Sequence, residues 1–281
     1  MKLLTFLARR YIAGKTRADA IRVAKRLNRE GLLATIDNVG ENVTNSTESR
    51  KGVEEYADLL EDISGEGVDS TISVKLTHLG LDISDELAME NMEMVLEKAA
   101  WFGNSVRIDM EGSKYTKRTL EIFTGLAERF PDAGIAVQSC LRRSAADVKL
   151  LIEAGRSVRL VKGAYKEPTD IAFEKKADVD GNFSVLMKEL LLKGSQPAIA
   201  THDEKLIEEA LRFAKENNID RSRFDFEMLL GIKRKLQKKL AEEGYRVRVY
   251  VPYGKNWLPY VLRRLTERKE NIWFVIKNIF D

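Results

Sequence analysis

The chain has 281 residues, 44% of them hydrophobic, and a net charge of +3 from 47 basic and 44 acidic side chains that are interspersed rather than segregated. That length and apolar share suit one large domain with a real core, and the mixed charge gives no support for a nucleic-acid surface. A single cysteine excludes an intrachain disulfide framework, two histidines argue against a zinc site, and no glycine-rich phosphate loop is present.

The N-terminal run carries a short apolar stretch cut off by Arg9 and Arg10, without the length of a signal-peptide core, and no later run approaches a membrane span. A cytoplasmic protein is expected. Residues 1–31 are read as one or two amphipathic helices closed by Gly31. A strand–helix pattern then repeats eight times. The expected strands are Leu33–Val39, Thr71–Thr77, Ser105–Glu111, Gly134–Cys140, Val158–Gly163, Pro197–His202, Phe224–Met228 and Val247–Val251. The helices expected after the first seven strands span residues 49–61, 84–102, 115–130, 144–154, 169–192, 204–217 and 231–243. An eighth begins after the N-cap candidate Asn256, with Pro259 in its first turn. Strands alternating with helices point to a parallel sheet, and eight repeats point to a closed (β/α)8 barrel of the TIM type rather than an open doubly wound sheet. The expected division is a single domain: helices over 1–31, barrel over 32–269 and an apolar tail over 270–281.

The strands alternate in an unusual way. Val106, Ile108 and Met110 share one face while Arg107, Asp109 and Glu111 share the other, and Ile72, Val74 and Leu76 oppose Ser73, Lys75 and Thr77. The face that meets the helices must be apolar, so the polar face points into the barrel. This interior is expected to hold Thr35, Asp37, Lys75, Arg107, Asp109, Glu111, Gln138, Arg159 and Arg248. Buried charges persist only when paired or when they serve a polar ligand. A purely structural salt-bridge network accounts for some of them. It does not explain why so many fall near strand C-terminal ends, where barrel enzymes place their chemistry.

Lys75 reads as a carboxylate-binding cation, as a Schiff-base nucleophile of the barrel-aldolase kind, or as the partner of an internal ion pair with Asp109. Arg159 and Lys162 end the fifth strand, where two cations suit a phosphate or an electron-rich ring that becomes anionic, and Gly163 leaves room for a flat group. His202 ends the sixth strand, and Cys140 is read as a small buried hydrophobe. On the helix after strand eight, Tyr260, Arg263, Arg264 and Glu267 share a stripe opposite Leu258, Leu262 and Leu265. Adjacent guanidiniums suit a carboxylate, although the same stripe fits a solvated face.

From Arg248 to Arg268 the chain closely resembles the C-terminal signature of proline dehydrogenases. That signature is an Arg-x-Tyr-x-Pro-x-Gly strand followed by Tyr-x-x-Arg-Arg-Leu-x-Glu on a helix. The resemblance extends through Val-Lys-Leu-Thr (74–77), Arg-Ile-Asp-Met-Glu (107–111), Ala-Val-Gln (136–138), Arg-Leu-Val-Lys-Gly-Ala-Tyr (159–165), Ala-Thr-His (200–202) and Phe-Glu-Met-Leu-Leu-Gly (226–231). It covers the barrel from about residue 20 to 275. It implies an FAD-dependent enzyme that oxidises L-proline to Δ1-pyrroline-5-carboxylate by hydride transfer and passes the electrons to a membrane quinone. By the same resemblance, Lys75, Arg263 and Arg264 hold the substrate carboxylate. Asp109 supports them, and Tyr250, Tyr260 and Leu229 pack around the pyrrolidine ring. Gln138, Arg159, Lys162, Gly163, Ala164, Thr201, His202 and Glu267 match positions that contact the flavin or its tail, and Asp109 and Arg159 are the catalytic candidates. No aldehyde dehydrogenase domain follows, so the likeness is to the monofunctional bacterial type. Lys166 stands where bifunctional relatives have Trp, which puts the adenosine side of the flavin in doubt. The tail 271–280 is expected to dock on the barrel. Because the quinone is lipid-borne, peripheral contact with the inner face of the plasma membrane is the other reading. The competing functions are a lysine-dependent aldolase or transaldolase using Lys75 or Lys162, and a non-catalytic barrel that binds an anionic metabolite.

Overall fold

The structure, a computed structural model, describes residues 10–165, 167–258 and 260. Helix α1 (Arg17–Arg29) opens the described fold, capped by a reciprocal box in which Thr16 accepts from the Asp19 amide while Asp19 reaches back. The succession is then β1 (Leu33–Asn38), α2 (Ser46–Gly65), β2 (Ser70–Val74), α3 (Asp85–Trp101), β3 (Val106–Ile108) and α4 (Ser113–Ala127). It continues through β4 (Gly134–Gln138), α5 (Ser144–Glu153), β5 (Ser157–Val161), α6 (Lys176–Lys193), β6 (Ala198–Ala200) and α7 (Glu204–Glu216). A 3-10 turn at Arg221–Arg223 leads into β7 (Asp225–Leu229), α8 (Arg234–Glu242) and β8 (Arg246–Tyr253).

All eight strands pair in parallel in sequence order, and β8 returns to β1 to close the barrel. Period-two alternation decides which side chains meet which layer. Ile36, Ile72, Val74, Ile108, Ile135, Val158, Leu160, Phe226, Val249 and Val251 are buried on the helix side, in one continuous core with the inner faces of the helices. Each such side chain stabilises the fold by about 1.5–3 kcal/mol relative to exposure. The interleaved residues face the axis, and there Thr35, Asp37, Ser73, Gln138, Arg159, Glu227 and Arg248 are buried polar groups.

A smaller apolar cluster sits over the C-terminal ends of the strands. Tyr11, Ile12, Ile232 and Tyr260 pack together with Val39, Leu229 and Trp257 against them. The chain before α1 is stitched to the end of β8, with the Ala13 amide donating to the Pro252 carbonyl (2.8 Å) and the Gly254 amide to Gly14 (3.1 Å). Gly231 adopts φ +78°, and any side chain there would strike the backbone of Arg10.

Several expected elements differ in extent: β2 ends at Val74 rather than Thr77, and α2 runs over Ser46–Gly65 rather than 49–61. The sixth helix starts at Lys176 rather than 169. The preceding chain is held as a loop, because the Arg142 amide donates to Ile171 (2.9 Å) and the Phe173 amide to Cys140 (2.8 Å). Strand β3 ends at Ile108 instead of Glu111, although the Asp109 amide still donates to Val74 (2.9 Å). The expected tail 270–281 and most of the last helix lie outside the described residues. Trp257, Leu258 and Tyr260 are helical, with Leu258 exposed and Tyr260 buried, as expected for opposite faces.

Candidate active site

The strand C-termini surround a cavity of about 400 Å³, within the range of small-ligand sites. Each expected site residue that is described lines it. Lys75 follows β2, Asp109 follows β3, and Gln138 comes from β4. Arg159 comes from β5, with Lys162, Gly163 and Ala164 just after it. Thr201 and His202 follow β6, Leu229 ends β7, Tyr250 belongs to β8, and Tyr260 lies on the last helix. Arg263, Arg264, Glu267 and Lys166 lie outside the described residues.

At the barrel axis the charges around Lys75 and Arg159 are paired and dry, whereas Arg107, also expected inside, has a buried Nη1 without a hydrogen-bond partner among the described residues. Lys75 Nζ contacts Asp37 at 3.1 Å and Asp109 at 3.6 Å. Burial opposes the ammonium, but Asp37 and then Asp109 outweigh it, and its pKa stands above the ordinary lysine value. Burial in turn pushes Asp37 up, against the pull of Lys75. The ion pair weighed from sequence between Lys75 and Asp109 therefore exists, but Asp37 is the nearer partner. Tyr250 donates its hydroxyl to Asp109 (2.7 Å) and stays a neutral phenol, because burial and then Asp109 raise its pKa well above normal. Arg159 donates through Nη1 to Asp109 (2.6 Å) and to Ser73 Oγ (3.0 Å), and through Nε to Glu227. Its pKa is likewise held above the ordinary value: burial works against the charge, and Glu227 and Asp109 prevail. Its guanidinium carbon lies 5.5 Å from the Tyr250 ring centre, in cation–π range.

The rim between β5 and β6 is wetter. Lys162 bridges Asp180 (2.6 Å) and Asp203 (2.8 Å), and both carboxylates also meet Lys176. His202 Nε2 accepts from the Leu229 amide (2.9 Å), which makes it an acceptor and leaves the ring proton on Nδ1. Gln138 donates to the Glu111 carbonyl (3.0 Å), and Thr201 Oγ1 accepts from the Asp203 amide (3.1 Å). Gly163 takes φ +116°, and a methyl group there would run into the Cys140 sulfur. That cysteine is half-buried rather than buried, with burial pushing its thiol up to about 11.

Three carboxylates at this site were not among the expected site residues. Glu227 belongs to a strand whose inward positions, Asp225, Glu227 and Leu229, could have exposed it by alternation. Asp203 directly follows His202. Asp180 carries no local signal, since it reaches Lys162 from the body of α6. Among the described residues no group of three or more His, Cys, Asp or Glu is disposed to hold a metal ion, and no described helix is long and apolar enough to cross a membrane.

A closed eight-stranded barrel with paired charges opening on a cavity at the strand C-termini defines a barrel enzyme for a small charged substrate. Comparison narrows the class. The proline dehydrogenase family profile matches residues 20–277. Proline dehydrogenase 1 of Bacillus subtilis subsp. natto is 42% identical over 272 residues, 97% of this chain and 90% of that one. A proline dehydrogenase of Deinococcus radiodurans is 36% identical over 278 residues, again 97% and 90% of the two chains. A crystal structure of proline utilization A from Bdellovibrio bacteriovorus inactivated by N-propargylglycine superposes with a TM-score of 0.89 at 26% identity. It covers 95% of this chain, which spans 33% of that longer polypeptide. The chain belongs to the proline dehydrogenase family and is an enzyme that oxidises proline.

Proposed function

We propose that the chain holds FAD in this cavity, oxidises L-proline to Δ1-pyrroline-5-carboxylate, and passes the electrons to a quinone. The observation that carries this reading is the convergence of Lys75 and Arg159 on one cavity, both kept cationic by buried carboxylates. A flavin suits the residues present. Met110, Ala136, Val161, Ala200 and Met228 supply apolar walls, Gly163 lets a flat ring approach the backbone, and Gln138 and Thr201 add polar contacts. When bound, the flavin supplies the two-electron acceptor for hydride leaving the substrate carbon next to nitrogen.

The chain's own part is binding and placement. Lys75, with Arg263 and Arg264, takes the substrate carboxylate, and Asp109 keeps Lys75 and Tyr250 in register. Tyr250, Tyr260 and Leu229 enclose the pyrrolidine ring and exclude water. Arg159 places fixed positive charge where negative charge accumulates. Lys162, Ala164, Thr201, His202 and Glu267 hold the remainder of the cofactor. No side chain is assigned as a base, because the substrate ammonium gives its proton to solvent water before the carbon–hydrogen bond breaks. Two tight carboxylate contacts keep Lys75 protonated, which disfavours a Schiff-base role for it. The same reading makes the chain one barrel unit over 32–269 with helices over 1–31, a tail over 270–281 that docks on the barrel, and a cytoplasmic location, peripheral contact with the inner face of the plasma membrane being the other reading of the tail. The test is direct: the purified protein should show flavin absorption that L-proline bleaches anaerobically, and a quinone analogue should restore it. A protein that stays colourless after reconstitution with FAD, or whose colour proline leaves unchanged, overturns the reading.

A further inference from the structure

Glu227 is a cavity carboxylate that none of the roles above uses. It stands on β7, 3% exposed, opposite Ala200 of β6 and Arg248 of β8 in the sheet register. One carboxylate oxygen, Oε2, accepts from Arg159 Nε, while Oε1 is buried without a hydrogen-bond partner among the described residues. Asp109 grips the same guanidinium from the other side, accepting from Nη1 at 2.6 Å. A planar guanidinium held at two of its three nitrogens, by the residue after β3 and by one of β7, has its orientation fixed. The third nitrogen, Nη2, donates to nothing among the described residues.

The charge count makes Glu227 more than a bracket. Among the described residues Asp37, Asp109 and Glu227 form direct ion pairs with two cations, Lys75 and Arg159, and the Arg107 guanidinium feels the Glu227 charge without an ion pair to it. Asp109 already pairs with Arg159, so Glu227 is a second carboxylate that adds negative charge beside the group that is to stabilise an anionic ring. In a dry site that charge is felt strongly.

Resting on the flavin reading above, we propose that Glu227 is a positioning residue for Arg159 and that its charge holds down the reduction potential of the bound flavin. A lower potential weakens the pull on substrate electrons and strengthens their delivery to the acceptor, so Glu227 divides the driving force between the two half-reactions.

The test uses the holoenzyme and two variants. Glu227→Gln keeps an acceptor for Arg159 Nε but removes the charge, whereas Glu227→Asp keeps the charge on a shorter arm. Midpoint potentials are measured by spectrophotometric titration against reference dyes, without substrate. Glu227→Gln should raise the reduced-to-oxidised ratio at a fixed potential about tenfold, a positive shift of about 30 mV for a two-electron couple. Glu227→Asp should stay within about threefold of the parent. A Gln variant shifted less than threefold, or shifted downwards, overturns the proposal, as does an Asp variant that moves as far as the Gln variant. Loss of flavin from both variants after reconstitution also overturns it, because Glu227 would then be a binding determinant. A parent protein without flavin overturns the function reading instead, so the two failures are told apart.

Discussion

At the barrel axis Lys75 meets Asp37 at 3.1 Å and Asp109 at 3.6 Å, and 11%, 0% and 13% of these side chains are exposed. At the rim Lys162 meets Asp180 at 2.6 Å and Asp203 at 2.8 Å, with about a quarter of each side chain exposed. Distance alone would rank the rim contacts stronger. The surroundings reverse that order, because Coulomb energy varies inversely with dielectric and an interior pair feels an effective value several-fold lower than water. Salt and water screen the rim further. The axis is therefore a fixed lattice in which each charge requires the others, while the rim is an exchangeable one whose lysine can turn to a ligand at little cost.

Breaking the axis should have the largest effect. Lys75→Met leaves Asp37, fully buried, without its cation, while Asp109 keeps Arg159. Removing one partner of a buried pair costs about 3–5 kcal/mol, and urea unfolding of the variant should show a loss of that order together with lost proline oxidation. The double variant Lys75→Met/Asp37→Asn should recover most of the stability and none of the activity. If the double variant is as unstable as the single one, Asp37 is not the partner that matters.

The contrast between axis and rim also marks what could be read from the chain. Barrel closure and the polar interior were legible because period-two alternation is local: Ser73 and Lys75, or Arg107 and Asp109, declare their face by their neighbours. Pairing was not legible. Arg159 and Glu227 are 68 residues apart and Lys162 and Asp203 are 41 apart, so only the register of separate strands and loops brings them together. The early boundary placed on the sixth helix failed for the same reason. The expected start is residue 169, but the backbone bonds of Ile171 and Phe173 to the β4–α5 connection outweigh local propensity.

Glu111 provides a second, intermediate break, this one in pH. Burial lifts its pKa from 4.5 to about 7, against hydrogen bonds from the Thr77 hydroxyl (2.6 Å) and amide (3.2 Å) and the nearby charge of Lys75. An acid whose folded pKa exceeds its unfolded value binds more protons when folded, so it loses stability as pH rises from about 4.5 through 7. That lift corresponds to roughly 3 kcal/mol. Unfolding of the parent and of Glu111→Gln at pH 5 and pH 8 should differ in that sense: the gap between them moves in favour of the variant at pH 8. Subtracting the curves removes His78, whose pKa burial lowers to about 4 and which acts alike in both proteins. A gap that does not change with pH would place Glu111 in a wetter setting than its 3% exposure implies.

The smallest effects on stability belong to the rim, where they are also the most diagnostic. Asp180 and Asp203 are both held below the usual carboxylate range. At Asp180 burial works the other way but Lys162 and Lys176 prevail, and at Asp203 the hydrogen bond from Lys162 is the leading cause. Because each of these groups is about a quarter exposed, replacing one should cost well under 1 kcal/mol. Ligand retention is a separate quantity. If Lys162 turns toward a cofactor phosphate, it must first leave its carboxylates, and Asp180 competes with the ligand for the same ammonium. Asp180→Asn should therefore tighten flavin retention by several-fold, and Lys162→Met should weaken it about tenfold, the worth of one charge-assisted hydrogen bond. Both changes should shrink when salt rises from low to physiological strength. Flavin release followed by fluorescence on dilution, alongside urea midpoints, separates the two quantities. A Lys162→Met protein that loses stability as heavily as Lys75→Met would mean the rim is as dry and as interdependent as the axis.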